Sequence, residues 1–287
     1  VKSAINPYVA SGEVAPLYLF YNGPGASTFS SARFTYYGVT GTPTVKFDGT
    51  TAGYNPTTYA TSIANRLAVP SYVDIDVNMV GDATGGTAYV SVTAEQDLGV
   101  SGQIKVWTVI CEDHEMATSA WGGYNGQEMM WIPVSFPLTA QGNVISFTGP
   151  YPQTVSVAGS YTLNPATHIF DNLNVVTFVQ ATSTREVFNA SYMDLPDTAT
   201  GIEDESGLGT TDLAVWPNPS NGALSIGAAL PESMTGTVTV FSIAGRTITR
   251  FDASPVTPIS IDEPGIYFVR METSDGQVLS ERFTVVR

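Results

Sequence analysis

The spacing of apolar residues changes character once along the chain, near Pro70, from helix-and-strand alternation to strands alone. Ala4, Ile5, Tyr8 and Val9 fall on one helical face, so the chain opens in a helix that begins at Val1. Leu17-Tyr18-Leu19-Phe20-Tyr21 is a short apolar run that reads as a buried strand, closed by the turn Asn22-Gly23-Pro24-Gly25. Thr28 is placed to cap a short helix through Phe34. Thr44 to Phe47 reads as a strand, and Asp48-Gly49 turns it back. Asn55-Pro56 joins a capping amide to a proline at the first turn and starts a helix whose core stripe is Tyr59, Ile63 and Leu67.

From Pro70 to Leu195 the pattern is one of strands. Val73-Asp74-Ile75-Asp76-Val77-Asn78-Met79 alternates apolar and polar, as a strand with one solvated face does. Thr87 to Ala94, Gln103 to Glu112, Asn143 to Phe147 and Asn174 to Gln180 follow, separated by Gly, Pro and Asn turns that predict a β-sandwich. Ala120-Trp121-Gly122-Gly123-Tyr124-Asn125-Gly126-Gln127 is a Gly-rich aromatic loop. Pro196 to Thr211 is acidic and almost without apolar residues, and reads as an exposed linker. Asp212 to Arg287 is a smaller strand-rich module. The expected division is therefore 1–69, 70–195, a linker at 196–211, and 212–287. The expected fold class is multidomain and mainly β, with an α/β segment, a central sandwich and a small C-terminal sandwich.

Composition narrows the functional classes. Only 13% of residues are charged, about half the usual share of roughly 25%, so Ser, Thr, Asn, Gln, Gly and Tyr must cover the surface. Such a surface offers little charge repulsion against close protein contact. A net charge of −15 opposes nucleic acid and anionic membranes, which need Lys and Arg against phosphate. No apolar run reaches the roughly 18 residues that span a bilayer. The chain does not open on Met, which suits processing or an incomplete chain.

Candidate chemistry is sparse. Cys111 is the single cysteine and lies in a strand pattern, so it is expected to be a buried, inert thiol. Glu112-Asp113-His114-Glu115 holds metal-ligating residue types, but neighbours alternate faces on a strand, and a solvated strand end is the expectation. His168 is the other histidine, distant in sequence. Nothing supplies a nucleophile elbow for Ser-His-Asp hydrolysis. Asp74, Asp76 and Asp82 are oxygen donors that suit calcium, yet Asp74 and Asp76 fall on the polar face of a strand. Tyr36, Tyr37 and Tyr54 either line a groove beside Pro43 or pack on neighbouring elements. No metal, cofactor or catalytic residue is assigned.

Two resemblances add to this. Tyr37-Gly38-Val39-Thr40-Gly41-Thr42-Pro43-Thr44-Val45-Lys46-Phe47-Asp48-Gly49 resembles the cis-proline segment of thioredoxin-fold proteins, which implies a cis Thr42–Pro43 turn and a partial thioredoxin-like domain over 1–69. The redox Cys-x-x-Cys pair of that family would fall at or before Val1. Together with the pattern around Val175–Gln180 and Thr184–Ala190, the chain resembles outer-membrane proteins that join a thioredoxin-like domain to an immunoglobulin-like sandwich. Trp216-Pro217-Asn218-Pro219-Ser220-Asn221-Gly222, the strand closed by Gly245-Arg246, Pro264-Gly265-Ile266-Tyr267 and the last strand to Arg287 are similar to the C-terminal sorting domain of the type IX secretion system. Trp216 stands where Tyr is commoner, and Ser-Ile-Ala precedes Gly245. This resemblance implies the secretion machinery as partner and a secreted or outer-surface location on a Gram-negative cell. The resulting expectation is a non-catalytic structural or interaction protein, with self-assembly into a filament or layer as one version. The alternative is a thiol-disulfide oxidoreductase or chaperone whose cysteine pair lies upstream of Val1.

Overall fold

The structure is a computed structural model that describes residues 2–53, 55–195, 211–230 and 234–286. Val1, Tyr54 and the expected linker, apart from Thr211, lie outside the described residues. The protein is multidomain and mainly β, with several separate sheets. It divides into two compact units, one of residues 1–75, 93–153 and 161–195, the other of 76–92, 154–160 and 196–287.

The first unit is built on an antiparallel sheet in the order Val187–Asp194, Leu173–Ala181, Ile104–Glu112, Ile132–Ser135, with Asn143–Ile145 also paired to Ile104–Glu112. Every residue of Leu173–Ala181 is buried. The β-branched and apolar run Val175–Val179 within it suits a strand covered on both faces. On one face Trp107, Val109, Cys111, Val176 and Phe178 pack with Phe29. On the other, the hydroxyls of Thr108 and Thr177 pair at 3.1 Å, both fully buried.

Three helices stand with this sheet. Helix α1 (Lys2–Ala10) packs Ile5 against Tyr59 and Ile63 of helix α3 (Tyr59–Leu67), with Ala4, Tyr8 and Val9 at the edge of the cluster, as the periodicity predicts. Helix α2 (Thr28–Tyr37) is capped by Ser27, whose hydroxyl accepts from the Ser30 amide at 3.0 Å, rather than by Thr28. It runs three residues beyond Phe34 and stops at Gly38, whose φ of 62° lies in the left-handed region that glycine enters without strain. Asn55 and Pro56 start a 3₁₀ turn that leads into α3.

Two expectations need correction. Leu17–Tyr21 forms no ladder: Tyr18 donates its amide to Trp131 O, and Phe20 makes a single bridge to Ala26. The run is apolar because it threads between clusters, with Leu17 and Leu19 on the sheet face, Tyr18 beside Trp131, and Phe20 among Ala117, Met129 and Ile132. Leu67 does not join Tyr59 and Ile63 in the core, being 48% exposed. Each four-residue step overshoots a helical turn by about 40°, so the third member of the stripe has rotated off the buried face. Arg66, one residue earlier, is held there by Asp48 at 2.8 Å and Glu186 at 2.9 Å.

The C-terminal part of the second unit is a sandwich. A three-stranded sheet, Asp212–Trp216, Ala223–Ala229 and Thr257–Ser260, faces a four-stranded sheet ordered Thr247–Asp252, Gly236–Ser242, Gly265–Thr273, Val278–Val285. Leu213, Leu224, Ile226 and Ala228 meet Val238, Val240, Val269, Met271 and Phe283 in one core. Period-2 alternation is strict along Gly265–Thr273, with Tyr267, Val269, Met271 and Thr273 inward. Strands Val73–Asp82, Gly85–Ala94 and Gln153–Thr162 form a further sheet whose residues are divided between the two units.

The helical register is testable. Ile63→Ala is expected to cost about 2–5 kcal/mol as a large-to-small core substitution, whereas Leu67→Ala should cost below about 1 kcal/mol. Urea denaturation of the two variants checks this, and equal losses would contradict the assigned face.

Candidate functional site

The motif residues of the C-terminal module converge on its last strand. Asn218 brackets that strand: its Oδ1 accepts from Thr284 N at 3.0 Å, and its Nδ2 donates to Arg282 O at 3.2 Å. Ser220 continues the contact, donating its amide to Thr284 O and accepting from Val286 N. Pro217 and Pro219 flank Asn218 and bring no amide donor, which suits a segment lying beside a strand rather than within a ladder. Both preceding peptide bonds are cis.

The remaining motif positions are placed by packing and turns. Gly222 sits at φ 108° with the Ile261 carbonyl only 2.9 Å from where a Cβ would stand, so a side chain is excluded twice over. Gly245 closes the Ser242–Arg246 turn, and Arg246 reaches Glu263 at 3.6 Å in an exposed pair. Gly265 opens the strand that carries Tyr267, whose ring stacks on Phe283 and whose hydroxyl donates to Glu263 O at 2.7 Å. Trp216 is fully buried within the second unit, its ring 4.5 Å from that of Tyr89. A Cβ on Gly227 would stand 2.2 Å from Tyr89 and 2.8 Å from Trp216. These residues therefore act by closing the sandwich.

In the first unit the Thr42–Pro43 bond is cis and both residues are exposed. Tyr36 and Tyr37 lie against Arg33, and Tyr36 donates to the carbonyls of Ala181 and Thr182. Cys111 is fully buried, and that burial pushes its thiol well above its ordinary pKa, the opposite of an activated thiolate.

The acid-rich strand end is not solvated as expected. Glu112 and Asp113 are only 5% and 8% exposed. Glu112 accepts from Ile169 N at 2.9 Å and pairs with His168 Nδ1 at 2.7 Å, so the fold joins what the sequence separates by 56 positions. Asp113 accepts from Trp131 N at 2.6 Å, and burial raises its pKa. His114 stays exposed and pairs with Glu128, which also binds Lys2. These partners hold the Glu128 carboxyl down to about 2. Among the described residues no three His, Cys, Asp or Glu side chains gather as a metal site. Asp74 and Asp76 are exposed, and Asp82 accepts from the amide and hydroxyl of Thr84, which caps its hairpin turn and lowers its pKa. Glu112, Asp113 and Asp82 thus anchor loops. Arg33, by contrast, carries a charge into the core and was not singled out by motif. The available signal was its place four residues from Phe29 and from Tyr37, on an aromatic helical face.

The fold and the closed C-terminal sandwich define a multidomain, mainly β protein. Residues 214–285 match the family described as the secretion system C-terminal sorting domain. No curated protein matches the chain. The structure of HBP35 of Porphyromonas gingivalis is similar over 90% of this chain and 80% of its own, at 16% identity and a TM-score of 0.50, a likeness of fold. A domain of the outer membrane lipoprotein Omp28 from Porphyromonas gingivalis aligns with 44% of this chain and 91% of its own, at 15% identity and a TM-score of 0.30. The sorting domain makes the protein a cargo of the type IX secretion system, secreted or held at the cell surface. No helix among the described residues is long and apolar enough to cross a membrane.

Asn218→Ala removes both bonds to the last strand and is expected to cost about 1–2 kcal/mol, with faster amide exchange at Thr284 by NMR as the local readout. Asp113 gives a pH test. Its folded pKa is raised, so its ionisation opposes folding as pH rises above about 4, the unfolded value. Asp113→Asn keeps an acceptor for Trp131 N and should flatten the dependence of Tm on pH from there upward. A variant whose Tm falls with pH as steeply as the parent would contradict this.

Proposed function

We propose that this protein is a non-catalytic structural or interaction protein that works outside the cell by surface contact. The observation that carries the reading is the outer face of the four-stranded sheet in the sorting domain. Phe268 is 41% exposed there, with Ile266 and Val278 also open to solvent. The register sets Arg250 and Arg270 on either side of Thr239, and Phe268 between Phe241 and Arg282. The same face carries Asp252 and Glu272, the latter paired with Arg270 at 3.0 Å, so it is apolar with charges of both signs and suits contact with another protein surface. The secretion machinery is one partner for it, and other copies of this acidic chain are another, which keeps a filament or layer among the forms of this function.

The division into 1–69, 70–195 and 212–287 joined by a linker belongs to the same reading, with 1–69 as a thioredoxin-like scaffold presenting Thr42–Pro43. The order of helix, helix, hairpin and helix over that segment supports it. The inert, buried Cys111 favours contact over thiol exchange by this chain's own cysteine.

Two measurements test the function. Deleting 212–287 should leave the protein inside the cell envelope, read by fractionation. Phe268→Ser should leave Tm nearly unchanged while weakening assembly or cell-surface binding, read by native mass spectrometry and pull-down. A wild-type protein that stays monomeric at all concentrations and binds no surface component contradicts the proposal.

A further inference from the structure

We propose that Asn22 is a site of spontaneous covalent modification, at which the amide of Gly23 converts the side chain to a carboxylate by deamidation. The chain holds three Asn-Gly sequences, at 22–23, 125–126 and 221–222. A glycine leaves its own nitrogen open to approach the asparagine Cγ, because it carries no Cβ. That nitrogen gives up its proton to hydroxide and forms a bond to Cγ, and the side-chain amide leaves as ammonia. Water then opens the five-membered succinimide ring at either carbonyl, giving aspartate or isoaspartate. The sum is hydrolysis of one amide by water, with no oxidant, reductant or metal.

The structure separates the three sequences. Gly126 donates its amide to Ala117 O at 2.7 Å, so that proton is held in a hydrogen bond and is harder to remove. Gly222 is buried, donates to Ser220 Oγ at 3.4 Å, and has the Ile261 carbonyl 2.9 Å from where its Cβ would stand. Asn221 is engaged as well, its Oδ1 accepting from the Ala223 amide at 3.4 Å. Asn22 and Gly23, by contrast, are both exposed. Among the described residues the Gly23 amide has no acceptor and the Asn22 side chain no partner. Gly23 sits at φ 84°, and a Cβ there would meet nothing nearer than Ala120 O at 3.9 Å, so the space that the ring needs is open. Of the three, Asn22 alone combines a free nucleophile with room for the ring to close.

The new charge falls where the sequence has none. Val14 to Ala32 carries no charged residue, and neither does Ala117 to Gln127. The two segments meet where Trp121 lies edge-on to Phe20 at 5.1 Å, and a Cβ on Gly25 would stand 2.9 Å from the Trp121 ring. Tyr21, 73% exposed, and Tyr124 are the open rings of these segments. A carboxylate next to Tyr21 therefore turns a neutral stretch acidic on a chain that already carries a net charge of −15. The isoaspartate product also routes the main chain through the side chain and adds one methylene between Tyr21 and Gly23. The turn it lengthens is closed by the Ala26 amide on Gly23 O at 3.0 Å and follows directly on the buried Phe20.

The test ages the full chain in mildly alkaline buffer, folded and in urea, and follows all three sites by peptide mass spectrometry. In the folded protein Asn22 is expected to gain the one mass unit of deamidation about tenfold faster than Asn125, the ratio that one hydrogen bond on the Gly126 amide implies. Asn221 should stay intact. In urea the three rates should draw together, because the fold and not the flanking sequence sets their order. The product at position 22 should include isoaspartate, read by its methylation with an isoaspartyl methyltransferase. Asn22→Gln should remove the acidic species that ion-exchange chromatography resolves from the aged protein. An Asn22 that reacts no faster than Asn125 in the folded protein overturns the proposal, as does the same order of rates in urea as in buffer. The wild-type measurement decides the matter without any variant.

Discussion

A strand buried on both faces must satisfy every polar group it carries without help from water. Leu173–Ala181 and its neighbour Ile104–Glu112 impose that condition on the first unit. Thr108 and Thr177 answer it by pairing with each other, Gln180 and Glu112 by reaching outward to the loops, while Asn174 Oδ1 and Trp107 Nε1 are left without a partner among the described residues. Gln180 ties down α2 and the carbonyl of Arg185, and Glu112 holds the chain at His168 and Ile169. Asp113, just past the strand, fixes Trp131, whose carbonyl in turn takes the amide of Tyr18. The loops of this unit are thus positioned from the sheet outward, by hydrogen bonds that originate in its most buried strands.

Much of this was legible beforehand where the signal is local. Ile5 and Tyr8 announced a helix, Asn55-Pro56 a helix start, and the alternation from Val73 a half-solvated strand, because each depends on periodicity or capping within a few residues. The sorting module was legible for a related reason: Gly222 and Gly245 hold positions that backbone geometry restricts, and such positions leave fixed marks in sequence. What escaped depends on partners far along the chain. The run Leu17–Tyr21 has the composition of a strand, and only its three different neighbours show that it is not one. Glu112 and Asp113 look solvated until His168 and Trp131 come beside them. Arg33 looks like a surface charge until Trp107 and Phe178 close over it.

The motif of the sorting domain has a compact physical meaning. Asn218 and Ser220 latch the last strand, Tyr267 stacks on the same strand through Phe283, and Gly222 lets the chain pass close to Ile261. Residues that would pass for a linear signal are the fasteners of one sandwich, so what the export apparatus meets is a closed surface whose exposed face is set by strand register.

The bed of Trp216 has a consequence for anyone who would transplant this signal. The indole lies on Tyr89, a residue contributed from the middle of the chain, and Gly227 is kept bare so that the two rings can meet. Cutting at residue 212 and grafting the remainder onto a foreign cargo would strip that ring of its cover and leave an oily flat spot on the fusion. A portable version would carry a polar replacement at Trp216 or bring its own aromatic lid, and the natural passenger and its address label are, to that extent, tailored to one another.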